Sequence, residues 1–346
     1  MSGKNAIQNK KTAVIAGCGG ISSLWLETLK DFDNVKITGL VDLDIKNAEA
    51  KAQEFGLDVL TGKDLGKMLD AVKPDIVFDC TVPQAHYNVV LTALDHGCNV
   101  LGEKPMAGSM KQARKMLRAA EKSGKTYAVI QNRRYNGNIS AFRNVLKSGK
   151  AGDLSSLYAD FFIGAHFGGF RENMEHVLLL DMAIHTFDQA RYISGLDPLY
   201  VYAYEWNPPG SWFKHGASAI CIFEMENGVV FNYRGSWCAE GMDTSWDCSW
   251  RALCTGGTVV WDGGENISGE IVEGDNGFIR RKKSFEIENP VESEYSGHAG
   301  VIHDFLESLE NGKKPPTDCT DNIKSLAMVH AAVESIKKGR KVKIKY

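Results

Sequence analysis

Short apolar runs and helix-like segments alternate along the first part of the chain. TAVIAG (12–17) and DIVFDCTV (75–82) have the length and apolar content of buried strands, whereas ISSLWLETLKDF (21–32) spaces its apolar residues as a helix does. The same rhythm continues through VKITGLVD (35–42), NAEAKAQEF (47–55), HYNVVLTALDHG (86–97), NVLGEKP (99–105), KQARKMLRAAEKSG (111–124) and TYAVIQN (126–132). This repetition predicts an α/β fold with a doubly wound, mostly parallel sheet.

The pattern changes after residue 131. One helix is predicted over 133–149, and a β-rich region then runs from Leu154 to Ile287, interrupted by a helix over 174–194. The predicted strands are LSSLYADFFI, LYVYAYEW, ASAICIFEM, GVVFNYRGSW, SWRALCTG, GTVVWDG and FIRRKKSFEI. Two helices and a short strand end the chain. We therefore expect a Rossmann domain at 1–131 and an α+β domain at 132–346. The second domain would have a large open mixed or antiparallel sheet, and its C-terminal helices would pack back towards the first domain.

Composition and charge narrow the functional class. The 346 residues are 43% hydrophobic and 24% charged, as in a soluble globular protein of two domains. The formal net charge of −3 gives no reason to expect nucleic acid or an anionic membrane as a partner. No apolar run approaches the ~20 residues needed to span a bilayer. Eight cysteines without a C-x-x-C pair indicate reduced thiols, a cytoplasmic protein and no metal site.

A glycine-rich turn separates the first strand from the first helix. It reads Gly17-Cys18-Gly19-Gly20-Ile21-Ser22, with serine at the third glycine position of the G-x-G-x-x-G pattern, and the second strand ends in Asp42. Glycines let the backbone approach a pyrophosphate, and a helix N-terminus offers free N–H groups. Asp42 would accept hydrogen bonds from the ribose hydroxyls and repel a 2′-phosphate. The unit predicts NAD binding, with NADP less favoured, through Gly17, Gly19, Gly20, Ile21 and Asp42.

Two further strand ends carry residues for the same crevice. Thr81–Pro83 follows one buried strand, and Glu103 with Lys104 follows the next. Ligands of open α/β sheets bind outside the carboxyl ends of the strands. We therefore expect both segments to face the cofactor.

A mostly apolar segment, LLLDMAIHTFDQAR (178–191), carries Asp181 and His185 four residues apart. In a helix this spacing places both on one face. Buried ionisable groups are costly unless they are paired or used, so the two residues are either a structural pair or part of a reactive site. The preceding loop, 166–176, contains His166, Arg171 and His176. It either contacts the substrate or is a solvated loop.

These motifs together resemble the glucose–fructose oxidoreductase/inositol dehydrogenase/MocA (Gfo/Idh/MocA) family. The resemblance is carried by the glycine turn, Thr81-Val82-Pro83-Gln84-Ala85-His86, Glu103-Lys104-Pro105 and Asp181-x-x-x-His185, and it covers nearly the whole chain. It implies that Lys104, Asp181 and His185 are catalytic, and that Thr81, Pro83, His86 and Glu103 lie at the cofactor. It also implies a homodimer or homotetramer formed through the second sheet. The segment 171–176 departs from the family's glycine-rich lead-in.

The chemistry expected from this resemblance is hydride transfer between NAD and a secondary hydroxyl of a sugar, sugar derivative or cyclitol. Histidine suits the role of base because its pKa lies near working pH. Lys104 would polarise the reacting oxygen, and Asp181 would hold the neighbouring hydroxyl or orient His185. Two alternatives remain: a glycosidase that oxidises its substrate transiently with bound NAD, and a non-catalytic dinucleotide-sensing protein. Non-catalytic relatives tend to lose the lysine or the histidine, and this chain has both.

Overall fold

A computed structural model describes residues 10–274, 277–287 and 294–346. The chain divides into two compact units, Met1–Ile130 with His298–Ile323, and Gln131–Gly297 with Lys324–Tyr346. The predicted domain boundary lies one residue from this division. The stretch 298–323, predicted within the second domain, is built into the first unit. None of the described helices combines the length and the apolar character needed to cross a lipid bilayer.

The first unit is organised around a six-stranded sheet in the order β3-β2-β1-β4-β5-β6, with every pairing parallel. Its strands are β1 (Lys11–Ala16), β2 (Val35–Val41), β3 (Leu60–Gly62), β4 (Ile76–Asp79), β5 (Asn99–Gly102) and β6 (Tyr127–Val129). The four residues of β4 are completely buried, as expected of a parallel strand covered on both faces. This sheet confirms the predicted Rossmann fold.

Helices connect these strands and cover the sheet. They are α1 (Gly20–Leu29), α2 (Ile45–Glu54), α3 (Leu65–Val72), α4 (Pro83–Asp95) and α5 (Met110–Ser123). Helix α5 shows how the local sequence sets where a helix begins and ends. Ser109 accepts a hydrogen bond from the backbone N–H of Gln112, and Gly124 ends the helix with φ +67. The later helices of the chain are α8 (Gly297–Asn311) and α9 (Cys319–Lys338).

The second unit contains a nine-stranded sheet in the order β14-β13-β12-β11-β7-β10-β9-β8-β15. Its strands are β7 (Leu154–Phe162), β8 (Pro198–Trp206), β9 (Ser218–Met225), β10 (Val230–Ser236), β11 (Ser249–Cys254), β12 (Gly257–Trp261), β13 (Ile267–Glu273), β14 (Arg281–Ser284) and β15 (Val342–Lys343). Strands β7 and β10 pair in parallel and the other neighbours are antiparallel, so the large mixed sheet is confirmed.

Two predicted helices of this unit have different bounds in the structure. The helix predicted over 133–149 is a 3₁₀ turn (Asn132–Tyr135) followed by α6 (Gly137–Lys147). Asn136 separates them because its backbone is extended and its side chain caps α6 at 2.9 Å from the N–H of Asn138. The helix predicted over 174–194 is a π-helix (Leu178–Ala183) followed by α7 (Ile184–Ser194). It cannot include His176, whose φ is +54.

Three elements were missing from the sequence prediction. Strand β3 and helix α3 are short, and β13 lacks a simple apolar–polar alternation. Gly269 in β13 explains part of this pattern, since a Cβ at this glycine would lie 2.4 Å from the ring of Phe285. The last predicted strand, 278–287, is shorter in the structure, where β14 spans only Arg281–Ser284.

Helix α7 covers one face of the nine-stranded sheet. Phe187 lies in edge-on contact with Phe223 and Tyr233, with ring centroids 4.8 and 5.3 Å apart, and all three rings are fully buried. On the other face, β8 exposes Tyr202 and Tyr204 while it buries Val201 and Ala203. The sheet therefore has one packed face and one open face.

A buried ion pair joins the 3₁₀ turn to α7. The guanidinium of Arg134 donates from Nε and Nη2 to the two carboxylate oxygens of Asp188, at 2.5 and 2.6 Å. Ser325 donates a further hydrogen bond of 2.7 Å to the same carboxylate. Both charged side chains are buried, so neither charge can rely on bulk water.

Replacing one partner of this pair should be more damaging than replacing both. Arg134→Met leaves the Asp188 carboxylate buried without this guanidinium, and we expect a loss of about 3–5 kcal/mol in the free energy of unfolding. Arg134→Met/Asp188→Leu removes both charges and should recover part of that loss. Urea midpoints followed by circular dichroism test the expectation. A single variant as stable as the wild type would contradict it.

Candidate active site

The glycine turn follows β1 and leads into α1. Gly17 has φ +88, and a Cβ at this position would lie 2.8 Å from the backbone of Cys80, so only glycine fits. Gly19 precedes the helix, and a Cβ there would meet nothing within 4 Å. Ser22, at the third glycine position, is buried and donates to the carbonyl of Gly19 at 2.6 Å. The start of α1 is thus open to a ligand, with no side chain capping its N–H groups.

Asp42 closes this turn from the end of β2. Its Oδ2 accepts from the backbone N–H of Cys18 at 2.8 Å, and its Oδ1 accepts from the N–H of Asp44 at 2.9 Å and from Asn47 Nδ2 at 3.1 Å. A carboxylate offers about four acceptor positions, so one remains for a ribose hydroxyl. Burial and the nearby Asp42 raise the pKa of the Cys18 thiol to about 12, so the turn gains no thiolate charge. The open helix start and the acidic strand end fit a dinucleotide.

The segment after β4 is held by a buried carboxylate. Asp79 accepts from the hydroxyl of Thr81 at 2.5 Å through Oδ1 and lies 2.9 Å from His86 Nδ1 through Oδ2. Pro83 is the first residue of α4, where its lack of an N–H has no cost. The ring of His86 is only 1% exposed. The structure therefore places His86 in the interior beside Asp79 and Thr81, and its contact with a cofactor stays a prediction.

Glu103 and Lys104 follow β5, which neighbours β4 in the sheet. Glu103 is buried and accepts from the indole N–H of Trp25 at 2.8 Å, and His298 Nε2 lies 3.7 Å from the same oxygen. Burial alone would raise the pKa of this carboxyl, but His298, Trp25 and the charge of Lys104 lower it. Glu103 is therefore an anion held in place beside Lys104.

All of these segments lie at the carboxyl edge of the parallel sheet. The glycine turn follows β1, Asp42 follows β2, Thr81 follows β4 and Glu103 follows β5. The structure thus brings together the predicted cofactor residues of the first unit. Two residues that support this edge, Trp25 and His298, were not among the predicted functional residues. Each lies on a helix within an ordinary apolar pattern, and only the fold places them at Glu103.

In the second unit, Asp181 lies within the π-helix and His185 in the first turn of α7. The expectation that their four-residue spacing puts them on one face assumed an α-helix throughout, which is not the conformation at Asp181. Asp181 Oδ2 accepts from Arg171 Nε at 2.6 Å, and His185 is 7% exposed. Single π-helical turns inside helices occur often at functional sites.

Each predicted substrate residue of the 166–176 loop pairs with a carboxylate. His166 stacks on Trp212 at 3.7 Å between ring centroids and lies 3.0 Å from Glu240. His176 Nδ1 lies 2.6 Å from Glu205 in a largely buried pair, and Arg171 pairs with Asp181. Contacts with carboxylates therefore hold the loop at three places, and a 3₁₀ turn spans Gly169–Asn173. Its contact with a substrate stays a prediction.

One group of potential metal ligands is found among the described residues. His303, Asp304 and Glu307 of α8 place their ligand atoms within 4.8 Å of one another, and Glu307 is exposed. Such surface groupings occur commonly without a bound ion.

The two glycines of the turn should respond differently to alanine. Gly17→Ala introduces a Cβ at a positive φ and against the backbone of Cys80, so we expect a lower thermal midpoint. Gly19→Ala should keep the midpoint but narrow the space above the helix start, weakening NAD binding about tenfold or more. Differential scanning fluorimetry and fluorescence titration with NAD measure the two effects. Unchanged NAD affinity in Gly19→Ala would place the cofactor elsewhere.

Comparison with known proteins identifies the family. Residues 11–131 match the oxidoreductase family with an NAD-binding Rossmann fold, and residues 139–260 match the Gfo/Idh/MocA C-terminal domain. These two matches together span more than half of the chain.

Individual relatives agree with this assignment over nearly the whole chain. D-apiose dehydrogenase of Paraburkholderia graminis is 26% identical over 372 residues, covering 98% of this chain and 91% of that protein. Inositol 2-dehydrogenase of Rhizobium meliloti is 23% identical over 358 residues, covering 95% and 98%. A crystal structure of an Agrobacterium radiobacter oxidoreductase with NAD+, L-tartaric acid and magnesium has the same fold, with a TM-score of 0.84, 23% identity and coverage of 96% and 98%. The chain therefore belongs to the Gfo/Idh/MocA family of oxidoreductases with an NAD-binding Rossmann fold, as its motifs predicted.

Proposed function

We propose that this protein is an NAD-dependent dehydrogenase that oxidises a secondary hydroxyl of a sugar, sugar derivative or cyclitol, or reduces the corresponding ketone. One observation carries the proposal: a glycine turn shaped for a dinucleotide occurs in a chain that also has Lys104, Asp181 and His185. The relatives named for D-apiose and inositol support the polyol class.

The proposed roles follow from the chemistry of each side chain. NAD supplies the hydride acceptor when it is bound. His185 takes the hydroxyl proton as the carbon is oxidised, a role suited to an imidazole. Lys104 donates a hydrogen bond to the reacting oxygen and stabilises its developing negative charge. Asp181 holds a neighbouring hydroxyl or orients His185.

The end of β2 supports a preference for NAD over NADP. Asp42 and Asp44 stand together after the strand, and Asp42 Oδ1 already accepts the N–H of Asp44. A 2′-phosphate would place two further negative charges against these carboxylates. A ribose hydroxyl, by contrast, can donate to the remaining acceptor position of Asp42.

The open face of the nine-stranded sheet supports a homodimer or homotetramer. Exposed aromatic and aliphatic side chains lie on its strands β7, β8 and β9: Tyr158, Tyr202, Tyr204, Trp206, Ile220 and Ile222. Tyr202 lies opposite Ile222 across β8 and β9, and Tyr204 lies opposite Ile220. Contiguous apolar patches of this kind mark protein–protein interfaces. A second copy of the chain is the proposed occupant because two such faces are complementary in character.

A cytoplasmic location is part of the same proposal. All eight cysteines lie within the described residues and are free thiols, most of them buried. Chains of this cysteine content that keep their thiols reduced are typical of reducing compartments.

Removing the proposed base or the proposed oxygen donor should abolish most of the turnover. We expect His185→Ala and Lys104→Ala each to lower kcat by at least about 100-fold, the usual scale for such groups. The assay follows NADH absorbance and released products with a panel of monosaccharides, cyclitols and glycosides. Net NADH supports the dehydrogenase. Glycoside cleavage without net NADH would instead identify a glycosidase. If both activities are absent, the protein is a binding protein. Near-wild-type turnover in either variant would remove that residue from the mechanism.

A charge placed on the open sheet face should separate the subunits. Tyr204→Glu/Ile222→Glu puts two carboxylates into the apolar patch, so we expect a shift to monomer in sedimentation velocity at micromolar concentration. Leu60→Glu, at an exposed leucine of β3, is the matched control and should leave the assembly unchanged. A wild-type protein that sediments as a monomer would contradict this interface.

A further inference from the structure

Three contacts hold the Arg171 side chain beside Asp181. Its Nε donates to Asp181 Oδ2 at 2.6 Å. The guanidinium carbon lies 5.1 Å from the ring centroid of Phe167 and 4.8 Å from that of Phe170. Guanidinium groups are attracted to aromatic faces over such distances. The side chain is therefore held in one place although 32% of its surface is exposed.

The terminal nitrogens of this guanidinium remain available for a ligand. Across residues 10–274, 277–287 and 294–346, Arg171 forms a hydrogen bond only through Nε, to Asp181. A guanidinium has five N–H donors in a planar fork, so four donors on the two terminal nitrogens are left. This fork matches the geometry of carboxylate and phosphate oxygens.

The surrounding charges favour an anion with a single negative charge. Glu172 and Glu175 are close to Arg171 in the sequence, and Arg171 already pairs with the Asp181 carboxylate. A phosphate dianion would bring two further negative charges to this one guanidinium, which is already paired with the Asp181 carboxylate. A carboxylate carries one negative charge, and the terminal N–H groups of a single guanidinium can bind both of its oxygens. The local balance therefore points to a carboxylate ligand.

We propose that Arg171 receives a carboxylate of the substrate, so that the protein acts on sugar acids, such as aldonates or uronates, more efficiently than on neutral sugars. The inference rests on the proposed function for its choice of polyol chemistry. Arg171 would bridge the substrate carboxylate and Asp181, and this bridge would orient the carbon chain next to the proposed catalytic aspartate.

Binding measurements test the proposal without depending on turnover. Isothermal titration of the protein saturated with NAD would compare a hexonate with the hexitol of the same configuration, and a hexuronate with its hexose. We expect the acid to bind about tenfold or more tightly than its neutral counterpart. The hexose 6-phosphate forms a third arm. Tighter binding of the phosphate, or equal binding of acid and neutral compound, would overturn the carboxylate assignment.

Conservative substitution then identifies the residue responsible. Arg171→Lys keeps a positive charge but loses the planar fork, so the preference for the acid should fall about tenfold, with the effect in KM and little change in kcat. Arg143→Lys is the matched control, because Arg143 also packs on an aromatic ring, 4.4 Å from the centroid of Tyr192. It should leave the preference unchanged.

Three outcomes of these variants are informative. An acid preference that survives in Arg171→Lys would overturn the assignment to this residue. Weaker NAD binding in Arg171→Lys would show that the arginine serves the cofactor, which also overturns the proposal. Acid-selective binding that depends on Arg171 but produces no NADH would support the carboxylate site while contradicting the proposed dehydrogenase.

Discussion

The close approach of two backbones at Gly17 is the constraint on which the first unit depends. The chain leaves β1 at a positive φ and passes so close to the backbone that leaves β4 that a Cβ on Gly17 would lie 2.8 Å from it. This contact lets the turn enter α1 directly, so the helix start faces the carboxyl edge of the sheet. The parallel strand order then brings Asp42, Thr81 and Glu103 to the same edge. One glycine thus makes the geometry of a whole crevice possible.

In the second unit, the main constraint is that carboxylates must be paired where apolar side chains surround them. The carboxylate of Asp188 is held by Arg134 and Ser325, and that of Asp181 is held by Arg171. Each carboxylate is thereby paired with a guanidinium at short distance, which reduces the cost of removing charge from water. The difference lies in exposure: Arg134 is buried and serves structure, whereas Arg171 still reaches solvent. The same type of interaction therefore stabilises the fold at Asp188, while at Asp181 it involves the arginine for which we propose a role in recognition.

Much of the architecture was predictable because it depends on local patterns. The buried strands of the first unit, the glycine turn and most strands of the second sheet follow from apolar spacing and from the positions of glycine. The misplaced boundaries have local causes that spacing does not report. Asn136 breaks a predicted helix through its own cap, and His176 adopts a positive φ just before the π-helix. Short elements such as β3 and irregular ones such as β13 carry too little periodicity to be recognised.

Motifs of a few neighbouring residues were enough to predict the family and the Rossmann fold, and the same motifs name the residues that we propose for the reaction. The tertiary structure alone decided which of those residues are accessible and with which they pair. It placed His86 in the interior on Asp79, brought Trp25 and His298 to Glu103, and put Arg171 on Asp181. These partners are separated by many residues in the chain, and no periodicity links them. Burial and pairing are properties of the packed chain, so they emerge only when the elements are assembled.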